Sequence, residues 1–451
     1  MDCSNISSKN KIPSSENKQN LRPSKDALSG AGFRKILKNR NFFLLWLGQI
    51  ISQFGDRLNQ MALIALVYQR APGSALQLAK IISFTIIPVF IIGPVAGVYV
   101  DRWDRRKTMY ICDLLRCVLV LLIPLAFFYK RSFFPIYLIV FIIFCISRFF
   151  VPAKMAIVPD LVDKGSLLLA NSLVATTGMI AAAFGLGLSG ILVSPAWIGV
   201  EGGFYLDSLT FFISAFLIFL ISKRIATSQK ESLINVSRGV LEVIRKSVFS
   251  EMKEGFFYLI KHKELRYIIG VLFLLGAALG SVNTVIIVFV QQALHSATKD
   301  LGLLAMFLAG GLFFGSIIYG RFGHRVALFK TIFLSLSCVG FTLIAFSFIL
   351  KSNPHFLVAA VLAIVLGVVI SPIITACNTL IHQLSHDEMR GKVFSSVEIV
   401  IHLAFLVCML LSAFLADKLG QAKILIGAGV ILALFGILSL INESSRNNSR
   451  L

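Results

Sequence analysis

Charge is what this sequence has least of. Only 14% of its 451 residues are Asp, Glu, Lys or Arg, where a soluble domain carries about 25%. With 57% hydrophobic residues and a mean hydropathy of +0.84, the chain lacks the polar surface to cover a water-facing globule. Lipid is the solvent this composition implies. Of seven cysteines, Cys112, Cys117, Cys145, Cys338, Cys377 and Cys408 fall in apolar runs and Cys3 in the polar N-terminal stretch, so no disulfide framework is expected and the six read as small packing residues. There is no P-loop, no His-Glu-x-x-His, no Gly-x-Ser-x-Gly and no soluble stretch to carry such chemistry, so nothing supports an enzyme, and no cofactor or metal is called for. Residues 1–32 are rich in Ser, Asn and Lys without an apolar core. They read as a disordered cytosolic tail, not a signal peptide.

What the chain does have is long apolar runs. A membrane-spanning helix needs about 20 mostly apolar residues, and twelve segments qualify: about 42–68, 76–100, 108–129, 134–158, 167–193, 203–222, 267–291, 301–320, 329–350, 355–380, 394–416 and 423–441. Pro88, Pro94, Pro124 and Pro372 lie inside them, which lipid-embedded helices tolerate. A net charge of +21 would suggest nucleic acid if it were clustered, but the basic residues sit in short loops between spans. They divide 32 to 8 between the two sides, which predicts both termini on the cytosolic side of the membrane.

The spans divide six and six. An N-terminal bundle over 33–222 and a C-terminal bundle over 267–441 flank the longest polar interval, 223–266, whose apolar spacing reads as an amphipathic cytosolic helix. Residues 442–451 read as a second cytosolic tail. One loop stands out: six of the seven residues from Asp101 to Lys107 in "GVYVDRWDRRK" are charged. A fainter copy, "SIIYGRFGHRVAL", follows 219 residues later at the equivalent place in the second bundle, with Gly320 in place of Asp101.

These residues resemble the major facilitator superfamily, whose loop signature G-x-L-a-D-r-x-G-r-k is met by Gly97, Asp101, Arg102, Arg105 and Arg106; Tyr99 and Asp104 depart from it. The resemblance implies an all-α membrane protein of twelve helices in two pseudo-symmetric six-helix bundles, normally monomeric. It implies that Asp101 meets the start of the eleventh span near Arg390, Gly391 and Lys392, braced by Arg106, Asp113 and Arg116, as a cytosolic latch; a carboxylate is favoured at a helix N-terminus. "KNRNFFLLWLGQIISQFGD", "FVPAKMAIVPDLV" and "LLANSLVATTG" are similar to macrolide-type efflux pumps and the enterobactin exporter. The same stretches, with Lys154, also resemble lysophospholipid transporters. "FGLGLSG" carries Gly185, Gly187 and Gly190 where exporters have a glycine-rich packing motif, with Leu186 in place of its proline.

Polar residues inside spans mark cavities or partners. Gln49, Gln53, Asp56 and Gln60 follow i, i+4, i+7, i+11 on one helical face. In the family fold that helix borders the central cavity, so Asp56 is the first candidate for proton or substrate binding. Arg148 is the other deep charge, and an Asp56–Arg148 pair is a reasonable expectation. Glu398 and His402, at i, i+4, suggest a gating pair; Asn283 and Asn378 offer cavity hydrogen bonds or packing contacts; Asp207 should have a structural partner. The expected activity is secondary transport by alternating access: proton-coupled efflux of a small amphipathic or hydrophobic molecule across the bacterial plasma membrane. Lysophospholipid movement and a transport-inactive sensor are the alternatives.

Overall fold

The computed structural model describes residues 30–100, 102–129, 132–222, 263–323, 326–384 and 390–448. Asp101, residues 1–29 and the greater part of the 223–266 interval lie outside them. The helices in order are α1 (Gly30–Lys38), α2 (Arg40–Arg70), α3 (Ala75–Ile91), α4 (Gly93–Val100), α5 (Arg105–Tyr129), α6 (Phe134–Leu161), α7 (Leu167–Leu192), α8 (Gly199–Phe219), α9 (Lys263–Leu294), α10 (Lys299–Phe322), α11 (Leu328–Ser352), α12 (Phe356–Leu384), α13 (Arg390–Leu419) and α14 (Gln421–Asn448). Among the described residues ten helices are long and apolar enough to cross a membrane.

The other two expected spans differ for identifiable reasons. The 31-residue α2 is long enough, but its polar stripe lowers its hydropathy. The second span is divided at Ile92 into pieces of 17 and 8 residues. Pro94 has no N–H to offer the ladder, and the chain restarts after Ile92. Two boundaries also move: α9 begins at Lys263, inside the interval assigned to the linker, and α14 runs to Asn448, through residues assigned to a tail.

Packing repeats between the halves. In the first, α2 lies against α7 and α8, α5 against α6 and α8, and α3 against α6; in the second, α9 lies against α13 and α14, α11 against α12 and α14, and α10 against α12. The sequence repeat is therefore a structural one. The halves meet through α3 against α13 and α9, and through α7 against α10.

The two ends of the molecule are unlike. At the end where α2 and α13 begin, here called proximal, each half has its own apolar core. Phe42, Leu45, Met109, Phe150, Ile157 and Ile218 form one, and Leu272, Phe333, Leu336, Ile373, Cys377 and Leu432 the other. At the opposite, distal end a single core runs through both halves, joining Leu58–Val67, Leu78 and Ile81 to Val285, Phe289, Leu304, Met409 and Ala413. The bundles are fused at the distal end and part toward the proximal end. Where α7 crosses α10, a Cβ on Gly190 would lie 2.8 Å from the Gly302 Cα and 2.6 Å from the Thr298 carbonyl, so only glycine permits this approach.

Candidate functional site

Polar groups gather at mid-depth, between the proximal and distal cores. On α2 the proximal core stops at Leu45 and the distal core starts at Leu58. The interval carries Gln49, Gln53 and Asp56. On α5 the corresponding gap, between Cys112 and Val120, holds Asp113 and Arg116.

Arg116 is the centre of this layer. Its side chain is 5% exposed and donates to Asp113, while the side chain of Asp56 is 51% exposed, its Oδ1 3.9 Å from Arg116 Nη1. The guanidinium lies over the Phe150 ring at 4.7 Å and the Phe211 ring at 4.2 Å. A delocalised cation is suited to that position, because it is weakly hydrated and is attracted to aromatic faces. The second oxygen of Asp113 accepts from Ser214 Oγ at 2.7 Å. Asp207 on α8, fully buried, accepts from Asn59 Nδ2 at 2.7 Å, which supplies its structural partner. Gly55 lets this happen: a Cβ there would strike Thr210 Oγ1 and Asp207 Oδ1.

This geometry corrects two expectations. Among the described residues, no hydrogen bond or ion pair joins Asp113 or Arg116 to the loop at 102–107. They are buried inside the first half, turned toward α2 and α8, because an i, i+3 acid–base pair in lipid is satisfied inward. Nor does Asp56 pair with Arg148. Asp56 has Arg116, Arg57 and Lys154 in electrostatic reach, whereas Arg148 on α6 has Glu398 on α13, across the division between halves.

The remaining loop residues serve the proximal end of the first half. Arg105 bonds Asp160 and the Ala156 carbonyl, at 2.7 and 3.0 Å. Arg106, itself buried, donates to the Ile218 and Phe219 carbonyls at the end of α8. These lie among the last carbonyls of the helix, which its own ladder does not fully satisfy, and the Ile218 carbonyl also accepts from the Ile221 N–H at 3.2 Å. Arg102 is exposed and Gly97 has open space around it.

Along α2, Gln49 is buried, Gln53 Oε1 would lie 3.2 Å from a Cβ on Gly178 of α7, and Gln60 accepts from Arg57 at 3.1 Å. On α7, Gly185 sits against the Arg57 side chain and Gly187 against Met306. In the second half Asn283 is partly buried and Asn378 exposed. His402 Nδ1 lies 2.8 Å from the Glu398 carbonyl of its own helix, and among the described residues no cluster could hold a metal ion. Lys154 is the site residue that spacing alone did not single out, because a lone lysine in an apolar run reads as a topology signal.

A family model described as Major Facilitator Superfamily matches residues 45–404 and 268–451. The chain is 23% identical to macrolide efflux protein A of Streptococcus pyogenes, over 89% of this chain and 96% of the relative. It is 22% identical to YfiS, an uncharacterized MFS-type transporter of Bacillus subtilis (strain 168), over 91% of this chain and 95% of the relative. A solved structure of a bacterial homologue of the iron transporter ferroportin, in an inward-facing state, matches with a TM-score of 0.65 and 16% identity, covering 89% of this chain and 98% of that one. The family match covers the greater part of both bundles, whose packing repeats, and this multi-pass membrane protein belongs to the Major Facilitator Superfamily of transporters.

Proposed function

We propose that this protein is a proton-coupled exporter of a small amphipathic or hydrophobic molecule in the bacterial plasma membrane, with both termini on the cytosolic side. The observation that carries this reading is Asp56: a carboxylate at mid-depth, half exposed, held beside a buried arginine. An acid in that position takes up and releases a proton without leaving its partner. Exposed apolar side chains on the helices around it, among them Met155 on α6 and Met179 on α7, suit a hydrophobic cargo. The efflux relative supports the direction of transport. With the termini inside, the proximal end is cytosolic, and cargo enters from there. Lysophospholipid is the second reading, favoured by Lys154, whose ammonium near Asp56 would meet a phosphate headgroup.

The test is a panel of macrolides, siderophores and lysophospholipids applied to a deletion strain carrying either the wild-type gene or Asp56→Asn. Export predicts that the wild type lowers sensitivity to at least one compound and that Asp56→Asn, expressed equally, does not. Equal protection by both would remove Asp56 from the mechanism.

A further inference from the structure

The seam at the distal end is closed by a contact that the transport reading does not use. Asp417, in the last turn of α13, reaches across to the first turn of α3 in the other half. Its Oδ1 accepts from the Ala75 N–H at 2.7 Å. Its Oδ2 accepts from Ser74 Oγ at 2.7 Å and from the Leu76 N–H at 3.3 Å. Ser74 is itself the N-cap of α3, with Oγ accepting from the Gln77 N–H at 3.2 Å. The first turn of α3 is thus capped twice, once by its own serine and once by an acid from the opposite bundle. Beside it, Gln421 Nε2 donates to the Gly73 carbonyl at 2.9 Å, again between halves.

We propose that Asp417 is the positioning residue that holds the distal end shut, and that its release from the start of α3 is what lets the halves separate there. The first N–H groups of a helix have no partner within it and carry the positive end of its dipole. A carboxylate that takes two of them adds directional hydrogen bonds to a seam closed by apolar packing, by the Gly190–Gly302 crossing and by the Gln421–Gly73 bond beside it. Apolar surfaces tolerate sliding; a three-bond cap does not. Asp417 therefore gives the closed state a defined register.

The test uses the full chain in lipid nanodiscs, without substrate or gradient, so that its failure is distinct from failure of the export reading. Spin labels at Trp197→Cys and His355→Cys, exposed distal positions in opposite halves, report their separation in a background with the native cysteines replaced by alanine. Asp417→Ala is expected to raise the population with separated distal ends by a factor of about 2 to 30, the fold-change that losing a helix N-cap carries. Asp417→Asn keeps one acceptor oxygen but sets an amide NH2 where the other oxygen accepted, so it should restore only part of the closed population. An unchanged distance distribution in Asp417→Ala would overturn the proposal.

Discussion

Arg116 on α5 stands between two acids from different places: Asp113, one turn earlier on its own helix, and Asp56 on α2, 3.9 Å away. Asp113 is fully buried and Asp56 half exposed. One arginine thus joins a fully buried acid and a half-exposed one, and the two should respond differently to substitution.

Removing Arg116 leaves Asp113 buried without its cation. Breaking a buried ion pair from one side costs about 3–5 kcal/mol in soluble proteins, and Arg116→Ala should lower the melting temperature in detergent strongly or prevent accumulation. Asp113→Leu with Arg116→Met, apolar replacements of similar volume, should recover much of that loss. The double variant melting no higher than Arg116→Ala would show that the pair is not the stabilising element.

Asp207 depends on Asn59. Asn59→Ala deletes the donor at 2.7 Å and strands a buried acceptor, a loss of about 1–3 kcal/mol. Thermal unfolding should report it, with Asn59→Asp worse, since two acids would then face each other. A melting temperature within error of wild type for both variants would contradict the assignment of Asp207 as a structural acid.

A double-mutant cycle separates the pairing expected from sequence from the one the structure shows. Asp56→Asn with Arg116→Gln should be non-additive in stability by more than about 0.5 kcal/mol, while Asp56→Asn with Arg148→Gln should add within that limit. The reverse pattern would return Arg148 to Asp56.

Gly190→Ala places a methyl group 2.6 Å from the Thr298 carbonyl. Overpacking of this kind costs about 1–3 kcal/mol, and here it acts only while α7 and α10 are in contact. The variant should therefore fold but shift toward the form with separated distal ends, seen as faster thiol labelling of a cysteine at Met306. Unchanged labelling would mean that the crossing stays closed throughout the cycle.

Much of this architecture was legible from the residues. The apolar runs and the two-fold repeat are consequences of hydropathy and internal similarity, which read directly; the bounds of the 223–266 interval did not, since α9 already begins at Lys263. The site was less so. Helical periodicity put Gln49, Gln53, Asp56 and Gln60 on one face, but it could not say which helix supplied the countercharge. Arg148 and Arg116 are both cations in apolar runs, and only tertiary packing decides which of them meets Asp56. The i, i+3 spacing of Asp113 and Arg116 was the available signal for an internal pair, and the family's loop signature drew those residues outward instead. Asp417 had no local signal at all: an acid near a span end is ordinary, and its partners at Ser74, Ala75 and Leu76 lie more than 340 residues away.

The central claim is that Asp56 couples proton movement to export, and pH-gradient-driven uptake of a labelled macrolide into inverted membrane vesicles tests it most directly, with the compound chosen from those the sensitivity panel identifies. The account predicts gradient-dependent accumulation in wild-type vesicles. In Asp56→Asn vesicles it predicts loss of that accumulation, with substrate exchange partly retained. Accumulation by Asp56→Asn that follows the pH gradient as the wild type does would contradict it.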